Sequence, residues 1–325
     1  MNALGETCGS AKMTQRGSAI ISALLIAALV AVMAAGMLSR QSVLTRVVEA
    51  EQSHRQGSAV LLGGLEVGRR LLWESRWQDG LTLPDQAWAR PIGHDALDQL
   101  SGDFQGQLED QQGKFNLRNL IANHRPDLGQ LRSFERLCAT LGIDVVLSRR
   151  ISQRVMASYP QMQTASGLSD SPAGVDRDTP SQTTVPATRP MLRSVDDLRG
   201  LQGLSELLLE RLGHYVSILP GNTLLNGNTT SAEVLAAVVP GLSLTKAQAV
   251  IAERNRGVWF TNRGDILNRL QVPTLSIESL DVGVASDWFI LRGQARQDRR
   301  RVSLQALIHR SEERMPQVIW SRTGV

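Results

Sequence analysis

Between Ala19 and Leu38 the chain carries no Asp, Glu, Lys or Arg. A helical run of about 20 residues spans roughly 30 Å, the thickness of a bilayer's hydrocarbon core. Apolar positions at helical spacing continue beyond Arg40, through Val43, Leu44, Val47, Val48, Leu61, Leu62, Leu65, Leu71 and Leu72, to about Trp73. In this second stretch Glu51, Gln52, His54, Arg55 and Gln56 interleave. The pattern predicts one long helix, apolar all round at first and amphipathic afterwards. A helix of about 55 residues is out of place in a globular domain. It is natural where one half lies in a membrane or filament core and the other backs a sheet. Gly57, Gly63, Gly64 and Gly68 interrupt it, each either weakening it by about 1 kcal/mol relative to Ala or marking a close approach of another element.

The period then changes. Leu83 to Pro91 is a loop by its prolines, and Phe104 to Asp110 alternates as a strand. Gly113 to Leu120 reads as a turn, a short strand and a helix start. Helical patterning dominates from Arg125 to Ser279, with amphipathic helices over Leu128–Leu141 and Val145–Met156. Between Gln161 and Pro190 lies a stretch rich in Ser, Thr, Pro and Gly, expected to be a mobile loop. Ser194 to Asp197 and Thr230 to Glu233 have the form of capping boxes. Two units each place a short helix, a Gly-Leu-Ser turn (Gly203-Leu204-Ser205 and Gly241-Leu242-Ser243) and a second helix in order, like a helix-hairpin-helix pair. The segment from Phe260 to Leu267 supplies a further helix. At the end, Trp288–Ala295, Val302–His309 and Val318–Ser321 read as an antiparallel meander.

The start of the apolar run carries a processing signal. Gln15-Arg16-Gly17 ends a short basic leader, and Ser18-Ala19-Ile20-Ile21-Ser22 begins the uncharged segment at once. A cut after Gly17 removes the charges and keeps the apolar helix, the reverse of an ordinary signal peptide. Two simpler readings stand beside this one: a plain single-pass anchor with Lys12 and Arg16 inside, and a removed signal peptide cut near Ala31 to Ala35. The pattern resembles type IV prepilins and pseudopilins, whose dedicated peptidase cuts after such a glycine. Most of those subunits have Glu at the fifth mature position, where this chain has Ser22. A carboxylate without a partner among apolar helices is costly, so its absence suits a subunit with no neighbour above it. Further along, Gln86 to Pro91, Glu109 to Leu120, and Asn226, Asn228 and Thr229 resemble the Trp-Ala-x-Pro, Gly-Lys-Phe-Asn-Leu-Asn and Asn-x-Asn-Thr stretches of the type II secretion minor pseudopilin K family. The resemblance covers nearly all of the chain and is weakest at 157–190.

Composition changes this picture little. Of 325 residues 42% are apolar, enough for ordinary cores, and the net charge of +4 becomes +3 once the leader with Lys12, Arg16 and Glu6 is gone. The one local basic cluster, Arg299 to Arg301, is too small for a nucleic-acid footprint. Cys8 lies in the leader, which leaves Cys138 alone at a core-facing helix position, so a mature chain forms no internal disulfide. His54, His94, His124, His214 and His309 are dispersed without metal spacing, and no nucleophile elbow or phosphate loop is present. Asp170, Asp176 and Asp178 offer hard oxygen ligands of the kind calcium takes. The family's acidic run is replaced here by Ala157-Ser158-Tyr159-Pro160-Gln161-Met162, so calcium stays the one candidate in an otherwise empty cofactor list. Both hairpins lack the second glycine of the DNA-binding version, which favours packing over phosphate binding.

The expected fold is α+β. A leader (1–17) precedes a long helix (18–75, spanning the membrane at 19–38). A pseudopilin-type sheet domain (76–124 and 280–325) carries an inserted all-α domain (125–279) with helix-hairpin-helix-like repeats. The resemblance implies a non-enzymatic tip subunit held in the inner membrane with its bulk in the periplasm. Its implied partners are minor pseudopilins I, J and H, the prepilin peptidase and the inner-membrane assembly platform. A minor type IV pilin and an anchored DNA-uptake receptor are the alternatives.

Overall fold

The computed structural model describes residues 15–78, 80–93, 103–164, 182–273, 275–297 and 300–324. The leader before Gln15, with Cys8 and Lys12, lies outside them, as do His94, Asp170, Asp176, Asp178 and Arg299. The chain divides into two compact units, Met1–Ser58 and Ala59–Val325. Helix α1 (Gln15–Gln78) starts in the first and ends in the second. In the first unit the segment Ile20–Gln41 is long and apolar enough to cross a membrane, slightly beyond the expected 19–38, and none of its most apolar window is buried within the chain.

In the second unit the last turns of α1 lie on a four-stranded antiparallel sheet. Its strands are β1 (Asp103–Asp110), β10 (Trp288–Gln297), β11 (Arg300–His309) and β12 (Gln317–Gly324), hydrogen-bonded in the order β1-β10-β11-β12. Strand alternation sends Phe104, Leu108, Phe289, Leu291, Ala295, Val302, Leu304, Ala306 and Ile308 to one face, where Val60, Leu61, Leu65 and Leu72 of α1 meet them. Among the α1 glycines, Gly64 has the clearest reason. A Cβ there would fall 2.1 to 2.6 Å from the Phe104 ring, and Gly106 and Gly293 make room for the same ring on the sheet. Trp88 plugs the edge of this core. It meets Phe289 edge-on at 5.1 Å, and its indole N–H donates to Gln86 Oε1 at 2.7 Å. The Gln86 to Pro91 motif is therefore a packing element.

Strands β1 and β10 are sheet neighbours, yet the described residues between them in sequence form the helical block and its short strand pairs. This holds α2 (Leu128–Thr140), α3 (Val145–Met156), α4 (Glu206–Gly213), α5 (Ala232–Val238), α6 (Leu244–Asn255) and α7 (Arg263–Leu270) around a second core. That core runs from Phe115 to Val282, so the short strand β2 (Phe115–Asn116) and the turn after it pack with the helices rather than with the sheet. Short pairs lace its edges: β2 with β7 (Val216–Ser217) in parallel, β3 (Ile121–Ala122) with β4 (Arg125–Pro126) antiparallel, and β8 (Leu225–Asn226) with β9 (Val282–Gly283) in parallel.

Three local expectations are corrected. The ends of the expected mobile loop pair as a hairpin, β5 (Gln161–Thr164) with β6 (Gln182–Val185), two segments without Pro or Gly whose backbone groups satisfy each other in the ladder; residues 165–181 between them lie outside the described residues. The Ser194–Asp197 box caps a single 3-10 turn, Val195–Leu198, not an α-helix. At α5 the cap is Ser231, whose hydroxyl accepts from the Val234 amide, so Glu233 stands one position too early to complete a box.

Candidate functional site

Two places carry the sequence motifs. The first is the start of α1. Gly17 and Ser18 fall in its opening turns and Ser22 one turn further, with no acidic residue in the first turn. The bond between Gly17 and Ser18 thus lies within the first turn of a helix that further on exposes Ile20, Ile21, Leu24, Leu25 and Ile26. Exposed apolar area of this extent calls for lipid or other apolar helices around it.

The second is the junction of sheet and helical block, centred on Asp110 at the end of β1. The two motifs that stand far apart in sequence meet here. Asp110 Oδ2 accepts from Thr229 Oγ1 at 2.6 Å, Asn226 Nδ2 at 3.0 Å and Ser286 Oγ at 2.6 Å, while Oδ1 accepts from the Gln112 amide at 2.8 Å. Burial pushes the Asp110 carboxyl above the usual carboxylate range, against the pull of the Ser286, Thr229, Gln112 and Asn226 hydrogen bonds. Asn226 also donates to the Thr82 carbonyl at 3.2 Å. Thr82 Oγ1 accepts from the Ser286 amide and from Arg310 Nη2, and Arg310 donates to the Ser286 carbonyl at 2.6 Å. Burial lowers the Arg310 guanidinium to about 10. Thr82, Asp110, Asn226, Ser286 and Arg310 are all buried. They come from the loop after α1, β1, the helical block, the return into β10 and the residue that follows β11, so one network fixes all five.

Around this centre the remaining motif residues serve the same join. Gly113 passes so close to Thr229 that a Cβ would sit 2.7 Å from its hydroxyl. Lys114 donates to the Gly213 carbonyl at 2.8 Å and pairs with Glu109 at 2.7 Å. Burial alone would raise the Glu109 carboxyl, but the charges and hydrogen bonds of Lys114 and Arg292 outweigh it and hold Glu109 below its ordinary value. Asn116 accepts from the Arg118 and Leu219 amides and donates to Gly221. Asn228 and Phe260 exchange two hydrogen bonds, Nδ2 to the carbonyl at 2.9 Å and amide to Oδ1 at 2.8 Å. Thr82, Ser286 and Arg310 escaped the sequence reading, since single polar residues in loops carry no periodicity or spacing that marks them as buried.

The arrangement ties backbone segments together and presents no reactive group to a substrate. Cys138 is buried in the helical core, and burial pushes its thiol up to about 11. Of the histidines whose side chains are described, His124 faces the Pro160 carbonyl and His309 lies tilted against Trp288 at 4.4 Å, while His214 follows α4. Among the described residues no group of three His, Cys, Asp or Glu is placed to hold a metal. In the hairpins, Gly203 and Gly241 adopt positive φ (89° and 81°), and Ser205 and Ser243 turn their hydroxyls inward to cap α4 and α6.

Models of the type II secretion system protein K family match residues 113–221 and 225–285. The chain belongs to the type II secretion protein K family. These matches span the Asp110 junction's Gly113–Leu120 and Asn226–Thr229 segments. The type II secretion system protein K of Pseudomonas aeruginosa is 29% identical over 306 residues, covering 90% of this chain and 88% of that one. That of Pectobacterium carotovorum is 25% identical over 330 residues, covering 95% and 97%. In fold, the chain is similar to a chain of the GspK-GspI-GspJ complex from enterotoxigenic Escherichia coli, with a TM-score of 0.63 at 18% identity over 86% of this chain and 99% of that one. Members of the protein K family are minor pseudopilins of type II secretion, structural subunits, and the motif resemblance pointed to the same family.

Proposed function

We propose that the chain caps the tip of the type II secretion pseudopilus. It is held in the inner membrane by Ile20–Gln41, with the helical block and sheet in the periplasm, until the prepilin peptidase cuts between Gly17 and Ser18. The freed helix then leaves the lipid and packs among other pseudopilin helices. Exposure of the Ile20–Gln41 surface is the observation that carries this reading: the chain covers none of it, so another apolar body must. Ser22 supports a terminal position, because a subunit with no neighbour above it offers no terminal amine for a buried acid to meet. The helical block adds bulk to the sheet domain and blocks further stacking. Partners I and J are supported by the similarity to a chain of the GspK-GspI-GspJ complex; partner H, the assembly platform and the peptidase follow from the family resemblance. Joint expression of this chain with pseudopilins I and J should yield a co-purifying complex. Failure to form any complex would sink the capping account.

A further inference from the structure

A cleft of about 430 Å³ lies between α3 and the segment that leads from Arg189 to Leu201. One wall is a single face of α3: Arg150, Gln153, Arg154 and Ala157 stand at helical spacings of three and four residues. Arg189 and Arg199 line the other wall. Their charges are compensated unequally. Arg199 Nε donates to both carboxylate oxygens of Glu206, at 3.0 and 3.1 Å. The one acid in the lining, Asp197, is occupied by the Arg193 and Ser194 amides and by Arg322. The other three guanidinium groups meet no carboxylate among the described residues. Arg150 donates to the Gln202 carbonyl, and Arg154 to Ser158 and the Pro190 carbonyl. Arg189 shows no side-chain partner among the described residues.

We propose that this cleft docks an acidic segment of a partner protein, two or more carboxylates receiving the guanidinium forks of Arg150, Arg154 and Arg189. Guanidinium presents paired donors that match a carboxylate bidentately, which adds both strength and geometric specificity to the contact. The charges are strung along a helical turn and repeated on the facing wall, which suits carboxylates spaced along a chain better than one compact anion. Ala157, Leu198 and Leu201 in the lining leave room for small apolar side chains between the acids. The inference is independent of the tip-capping reading, since a partner could use the groove from any position.

The test uses the full-length chain in detergent and a fluorescein-labelled peptide of alternating Asp and Ala, read by anisotropy. Binding should weaken steeply with salt, and the Lys–Ala counterpart should not bind. Arg150→Glu with Arg189→Glu should weaken binding about tenfold or more, the scale of one lost charge-assisted contact. Arg55→Glu with Arg70→Glu makes the same change in net charge on exposed α1 positions and should leave binding unchanged. Arg150→Lys with Arg189→Lys keeps the charge and removes the forks; an intermediate loss supports the carboxylate geometry. Equal loss in both Glu pairs, no loss in the cleft pair, or displacement of the peptide by inorganic phosphate at lower concentration than by unlabelled peptide overturns the proposal.

Discussion

At Gly64 a missing side chain decides how a helix meets a sheet. The Phe104 ring occupies the space where a Cβ would go, and that ring is fully buried. Gly64→Ala should therefore destabilise the protein by about 1–3 kcal/mol through overpacking, and Phe104→Leu in the same chain should recover part of the loss. Gly68 is the contrast: a Cβ there makes ordinary contacts, 3.4 Å to Leu291. Gly68→Ala should be neutral or stabilising by up to about 1 kcal/mol. Urea unfolding of the three variants distinguishes these outcomes. The sequence showed four glycines interrupting one helix and offered two explanations for them. Choosing between weakening and close approach needed the position of Phe104, which lies on a strand far along the chain.

Elements were legible where their period was long. Helix α1, the pair α2 and α3, and the strands β1, β10 and β11 follow directly from apolar spacing, and their ends agree within a few residues. Short elements fared worse, because a single turn has no period. The Ser194–Asp197 cap heads a 3-10 turn, and the cap of α5 moved from Thr230 to Ser231. The hairpin glycines and serines show what such turns do here. Gly241 supplies the positive φ, and Ser243 accepts from the Lys246 amide at 3.2 Å to begin α6. Ser243→Ala should cost about 1 kcal/mol of stability, the usual worth of an N-cap. A thermal melt shifted by no more than its error would show that the turn serves something other than capping.

For the whole molecule the deciding feature is the Asp110 network, which joins two hydrophobic cores into one unit. An amide in place of the carboxylate turns a donor toward the Gln112 amide, whose partner is Asp110 Oδ1 at 2.8 Å. Asp110→Asn should lower stability at neutral pH by about 1–3 kcal/mol, the cost of a buried donor left unmatched. A pH series adds a sign. The folded value lies above the reference of 3.8, so this group's contribution is present in full below 3.8 and is lost as pH rises through the folded value. Asp110→Asn should remove that decline, and a variant that keeps it would assign the titration to another group. By itself the sequence determined the long apolar helix, the family and the sheet-plus-helix composition, because each rests on local periodicity or a contiguous motif. Only the tertiary structure decided that Asp110, Asn226 and Thr229 meet, that Thr82, Ser286 and Arg310 complete their network, and that arginines from α3 and a distant loop face one cleft. Those pairings join residues far apart along the chain, and what selects them is the penalty for burying a polar group without a hydrogen-bond partner, which exists only once the chain has closed around them.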